Sequence, residues 1–138
     1  MSKIYNLFIS HSWAYSENYE ALVNLLNQDN TFSYRNYSVP RNDPIHTNGT
    51  DRDLYNAIKR QMQPASVVII LAGVYATYSK WINKEIKIAQ NEFIVPKKII
   101  AVEYWGTDKT SRVVKNAADA IVKWNTASLI NKIKELTY

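Results

Sequence analysis

The chain has 138 residues, a formal net charge of +5, no cysteine, two histidines and three glycines. Without cysteine there are no disulfides, thiolate zinc sites, iron–sulfur clusters or Cys nucleophile, and His11 and His46 alone cannot make a three-histidine zinc site. Gly49, Gly73 and Gly106 are too scattered for a Walker or G-x-G-x-x-G phosphate loop, so a nucleotide would have to be held by another device.

The length predicts one domain over residues 1–138, large enough to bury a core without staples. Hydrophobic residues at 46% and charged residues at 21% are ordinary for a water-soluble globular domain. No apolar run reaches the roughly 18 residues of a membrane span, and the opening Met1-Ser2-Lys3-Ile4-Tyr5 lacks a signal-peptide core. The expectation is a cytoplasmic protein without membrane contact. Residues 1–78 carry six basic and six acidic side chains, so the whole excess lies in residues 79–138. A nucleic-acid partner is one reading of that excess. Solvated helix faces are the preferred one, because Lys80, Lys84 and Lys87 fall at i, i+4 and i+7.

In chain order, residues 3–9 read as a buried strand, closed by Ser10-His11-Ser12. Helical spacing through Tyr19, Leu22, Val23 and Leu26 predicts a helix over 15–28 with Ser16 as N-cap. Residues 33–39 alternate like an edge strand, and 40–50, with Pro40, Asn42, Asp43, Pro44, Asn48 and Gly49, is a long loop. Thr50 or Asp51 caps a helix to about Gln63, ended by Pro64; residues 66–72 form a second apolar strand. Thr77 or Ser79 opens a helix to about Phe93, stopped by Pro96, and a third apolar strand covers 98–104. Residues 106–118 read as loop then short helix, 120–124 as a last strand, and Thr126 as the cap of a helix ending near Leu136. Continuous apolar strands alternating with helices predict an α/β fold, a flavodoxin-like doubly wound five-stranded parallel sheet with helices on both faces. Ligands in such sheets bind at the carboxyl ends of the strands, near the topological switch point.

Three constellations lie at or near those strand ends. Trp81-x-x-x-Glu85 places an aromatic ring and a carboxylate on one helical face, suited to a flat base and a ribose. The competing reading makes Glu85 a surface partner of Lys84 or Lys87 and Trp81 plain core. Phe8-Ile9-Ser10-His11-Ser12-Trp13 could hold phosphate through short hydroxyls and turn amides, or could simply end the strand. Arg41, in the long loop, could reach a phosphate, or belong to an ordinary surface loop.

Together and in this order these features resemble the TIR domain, in its bacterial branch. Tyr5-Asn6-Leu7-Phe8-Ile9-Ser10-His11-Ser12 looks like that family's first strand, with Asn6 where Asp is common. Residues 40–50 sit where the family has its BB loop. Residues 66–71 resemble its third strand, which here ends Leu71-Ala72-Gly73 rather than in the usual Ser. Trp81 and Glu85 match the W-x-x-x-E signature of enzymatic TIR domains. A domain of this size is most similar to the TIR-like subunit of the bacterial Thoeris antiphage system.

The resemblance implies an enzyme with NAD+ as substrate, no cofactor and no metal, that releases nicotinamide and makes a cyclic ADP-ribose isomer as a defence signal. Glu85 would be the catalytic carboxylate. Trp81, Phe8, Ser10, His11, Ser12 and Arg41 would contact substrate. The implied partners are NAD+, further copies of the chain on activation, and an effector protein that senses the product. The alternative is a non-enzymatic TIR adaptor that works by self-association through the 40–50 loop. A phosphoacceptor receiver of the same topology is disfavoured, because its acidic positions read Ser10-His11-Ser12 and Ala72-Gly73 here.

Overall fold

The computed structural model describes residues 3–10, 16–38, 50–72, 80–103 and 112–137. Within them are β1 (Ile4–Ile9), α1 (Ser16–Asn27), β2 (Ser33–Asn36), α2 (Asp51–Met62), β3 (Val67–Ala72), α3 (Lys80–Asn91), β4 (Lys98–Glu103), α4 (Arg112–Ala117), β5 (Ala120–Val122) and α5 (Thr126–Leu136). The five strands form one sheet in the order β2-β1-β3-β4-β5, every neighbour parallel. This is the expected flavodoxin-like arrangement. Parallel neighbours need crossover helices, and those helices cover both faces: α1 packs on α5, while α2, α3 and α4 form the other layer.

The continuous apolar runs follow from that double cover. Leu7, Phe8 and Ile9 of β1, Val67 to Ile70 of β3 and Ile99 to Val102 of β4 are all buried, whichever face each side chain meets. The edge strands are shorter than the sequence pattern predicts. β2 stops at Asn36, whose side-chain carbonyl turns back to accept the Ser38 N–H at 3.1 Å. β5 stops at Val122, three residues before Asn125 caps the next helix.

Helix boundaries are set by local chemistry. Thr50 closes a full capping box on α2: its hydroxyl accepts the Asp53 N–H and the Asp53 carboxylate accepts the Thr50 N–H, both at 3.1 Å. Such a cap is worth about 1 kcal/mol. Pro64 follows the Gln63 C-cap, as expected. α3 ends at Asn91, a turn before Pro96, and its last turn is clasped from outside. For α5 the cap is Asn125 and not Thr126: Asn125 Oδ1 accepts the Ser128 N–H at 2.9 Å. Thr126 is already helical, and its hydroxyl donates to the Leu25 carbonyl at 2.7 Å, tying α5 to α1. α1 begins at Ser16, so the position before it lies outside the described residues.

The clasp on α3 is a charged cluster that joins it to α2. The Tyr55 hydroxyl and the Lys59 ammonium, the latter at 3.2 Å, both hold the Glu92 carboxylate. Hydrogen bonding to that carboxylate pushes the Tyr55 pKa from 10.0 up to about 12. The same two partners, Tyr55 first, hold Glu92 below its ordinary 4.5. The two shifts act in opposite pH windows. Tyr55's contribution to stability is complete below about pH 10 and is lost as pH rises through about 12. Glu92's is present above 4.5 and is lost as pH falls below that value. In an ultraviolet titration, subtracting Tyr55→Phe from wild type should therefore leave a tyrosinate step near pH 12. A difference step near pH 10 would mean that the Tyr55–Glu92 bond does not form in solution.

Candidate functional site

In this strand order the chain changes direction at β1, which has β2 on one side and β3 on the other. The crevice expected to bind ligand is therefore at the carboxyl ends of β1 and β3. Ser10 is the first residue past β1 at that end. Its N–H donates to the Ile69 carbonyl at 2.9 Å, closing the Ile9–Ile69 pair of the β1–β3 ladder. Its backbone is thus fixed by the centre of the sheet.

Glu85 lies in the middle of α3, in a stripe of buried Ile82, Ile86, Ile88 and Ala89. Positions three and four apart share a helical face, so the sequence sets this carboxylate into the apolar side of its helix. Both Glu85 and Ser10 are 0% exposed. The Ser10 hydroxyl donates to Glu85 Oε1 at 2.7 Å. A hydroxyl–carboxylate bond of that length lies at the long end of the charge-assisted range of about 2.5–2.7 Å. Burying a carboxylate is costly unless hydrogen bonds replace its lost water, and Ser10 supplies one of them. They are the only buried polar or charged residues among the described ones, and the fold joins them across 75 positions of sequence.

The reading of Glu85 as a surface partner of Lys84 or Lys87 is overturned by this burial. The Lys84 ammonium is instead 4.0 Å from Asp51 at the start of α2, and Lys87 is exposed. Phe8 is fully buried in β1, part of the core cluster. Trp81 is in the first turn of α3, one turn before Glu85; its side chain lies outside the described residues. His11, Ser12 and Arg41 also lie outside them, as do residues 40–49 of the long loop. Among the described residues, no group of three or more His, Asp or Glu side chains could hold a metal ion, and no helix is long and apolar enough to cross a membrane.

Sequence reasoning missed the Tyr55–Glu92–Lys59 clasp and the open cleft beside it. That cleft, about 590 Å³, is lined by residues of the C-terminal part of α2 and the turn after α3, including Arg60, Phe93 and Ile94. Those ends feed β3 and β4, so the cleft lies at the opposite end of the sheet from Ser10. The signal for the clasp was present only as Tyr55 and Lys59 four apart on α2. Their shared partner is 37 residues from Tyr55.

A family model described as Thoeris protein ThsB, TIR-like domain, matches residues 8–109, a span that includes Ser10, Trp81 and Glu85. No curated protein sequence matches the chain.

Proposed function

The chain belongs to the TIR-like domain family of Thoeris protein ThsB, and from that premise we propose that it is an antiphage NAD+-cleaving enzyme with Glu85 as its catalytic carboxylate. The observation that carries this reading is the buried Ser10–Glu85 pair at the switch point of the sheet. An adaptor that works only by self-association gains nothing from a desolvated carboxylate there, and the fold bears its cost.

The chemistry needs little else. Nicotinamide is joined to the ribose of NAD+ through a positively charged ring nitrogen. When the glycosidic bond breaks, its electron pair goes to that nitrogen, and nicotinamide leaves neutral without a general acid. The ribose is left with oxocarbenium character. A carboxylate held in a site of low dielectric stabilises that charge and accepts hydrogen bonds from the ribose hydroxyls. A hydroxyl of the same ADP-ribose unit then bonds to the anomeric carbon and gives up its proton to water. The product is a cyclic ADP-ribose isomer, whereas attack by water would give linear ADP-ribose. Trp81, one turn before Glu85, would stack on a flat ring of the substrate. His11, Ser12 and Arg41 would contact its phosphates or sugars. The signal would reach a product-sensing effector protein, and further copies of the chain would assemble on activation.

The test follows NAD+, nicotinamide and ADP-ribose products by chromatography and mass spectrometry. It is run with the purified chain and with phage-infected cells expressing it. Stoichiometric nicotinamide and a cyclic product are expected. Absence of nicotinamide release in both settings overturns the proposal.

A further inference from the structure

We propose that Ser10 is a positioning residue for Glu85, and that its hydroxyl makes no donor contact with substrate. This rests on the reading that Glu85 acts on NAD+. A serine hydroxyl has one proton to donate. Here that proton is directed to Glu85 Oε1 at 2.7 Å, so it is not available to a phosphate or ribose oxygen at the same time. The donor itself is rigid. Its backbone N–H is bonded to Ile69 of the central strand, and the residue is completely buried. Glu85, by contrast, reaches its position through three rotatable side-chain bonds, each of which must be held for the carboxylate to keep one orientation. Bonding one carboxylate oxygen to a point fixed on the sheet selects the rotamer and the plane of the carboxylate. The other acceptor directions of the group are thereby set with respect to the strand-end crevice.

The residue type is the one this position requires. Alanine would leave Oε1 without this donor. Aspartate would set a second negative charge against the first. A longer donor such as asparagine would not fit the fully buried space at 2.7 Å from the carboxylate. Ser10 follows β1 and Glu85 is in the middle of α3, and the strand order β2-β1-β3-β4-β5 with α3 on one face of the sheet brings the two together. Ser10 therefore transmits the geometry of the sheet to the reacting group on the helix.

Steady-state NAD+ cleavage by Ser10→Ala, Ser10→Cys and Ser10→Thr separates this role from its alternatives. The thermal midpoints of Ser10→Ala, Glu85→Leu and the double variant form a parallel cycle that needs no activity. The expected result is a kcat about 10–100-fold lower in Ser10→Ala with KM within about threefold, since substrate binding is left largely intact. Ser10→Cys, a poor donor of similar size, should behave like Ser10→Ala. Ser10→Thr, which keeps the hydroxyl, should recover kcat to within about tenfold of wild type. In the cycle, Ser10→Ala should lower the midpoint less when Glu85 is already Leu, because the bond it removes is already gone.

A raised KM with unchanged kcat would make Ser10 a substrate contact and overturn the proposal, as would full activity in Ser10→Ala. Wild-type protein inert both as the purified chain and in phage-infected cells, with a coupled cycle, would overturn the NAD+ reading and the positioning role with it, leaving the bond as a structural one. Active wild type with an additive cycle and unaltered Ser10→Ala kinetics would overturn the positioning role alone.

Discussion

Glu85→Gln is expected to lower kcat/KM for NAD+ cleavage by at least about 10³-fold, about 4 kcal/mol of transition-state stabilisation. The substitution removes the charge and exchanges one carboxylate oxygen for an NH2 group, and leaves the shape almost unaltered. Glutamine has the shape of glutamate and keeps an acceptor oxygen for the Ser10 hydroxyl, so the packing among Ile82, Ile86, Ile88 and Ala89 is preserved. What disappears is the negative charge, at the moment when the ribose acquires positive charge. Glu85 is itself fully buried, so its charge is screened less than it would be in water, and its removal is felt more strongly. The companion control is Glu92→Gln. That carboxylate is on the same sequence segment but is partly exposed and tied to Tyr55 and Lys59 at the far end of α3. Turnover should be unchanged in Glu92→Gln, while its stability falls below wild type at neutral pH and the difference fades as pH drops below 4.5. Steady-state kinetics beside circular dichroism of both variants makes the comparison. Undiminished turnover in a folded Glu85→Gln protein would remove Glu85 from the mechanism.

The layout of this fold was legible because its parallel strands are covered on both faces. Val67-Val68-Ile69-Ile70-Leu71 has no polar alternation to confuse it with a half-exposed strand, and Pro64 before it marks the end of α2. Elements at the rim were read less well, since their ends depend on side chains and not on the apolar run. Asn36 accepts the Ser38 N–H just past β2, and Asn125 accepts the Ser128 N–H three residues past β5. The carboxylate was half legible. Its place in an apolar helical stripe is written in the spacing of Ile82, Ile86 and Ala89. Yet the same residue, with Lys84 and Lys87 beside it, also reads as a surface ion pair. Only the tertiary placement of Ser10 decides between these. That contact joins positions 75 residues apart through two crossovers, and no local pattern encodes it.

Phe8→Ala is expected to destabilise the protein by about 3–5 kcal/mol, the usual cost of emptying a large buried aromatic position. For a chain of this length that lowers the thermal midpoint by about 10 °C or more. Phe8 is fully buried, pairs in register with Val68 of β3, and belongs to the main core cluster. Side chains alternate along a strand, so Phe8 shares a sheet face with Ser10, two residues and about 7 Å further on. That face carries α3, because the Ser10 hydroxyl meets Glu85 on it. The Phe8 ring is thus expected on the face of the sheet that carries the Ser10–Glu85 pair, and its loss would open a cavity in the core on that side. Phe8→Leu keeps most of the volume and should restore most of the midpoint. If the ring acts through packing, the KM for NAD+ in Phe8→Leu stays near wild type, and kcat follows how well Glu85 is held. If it touches substrate, KM rises while the midpoint hardly moves. Calorimetry and steady-state kinetics on these two variants therefore tell a packing residue of the core from a contact inside the site.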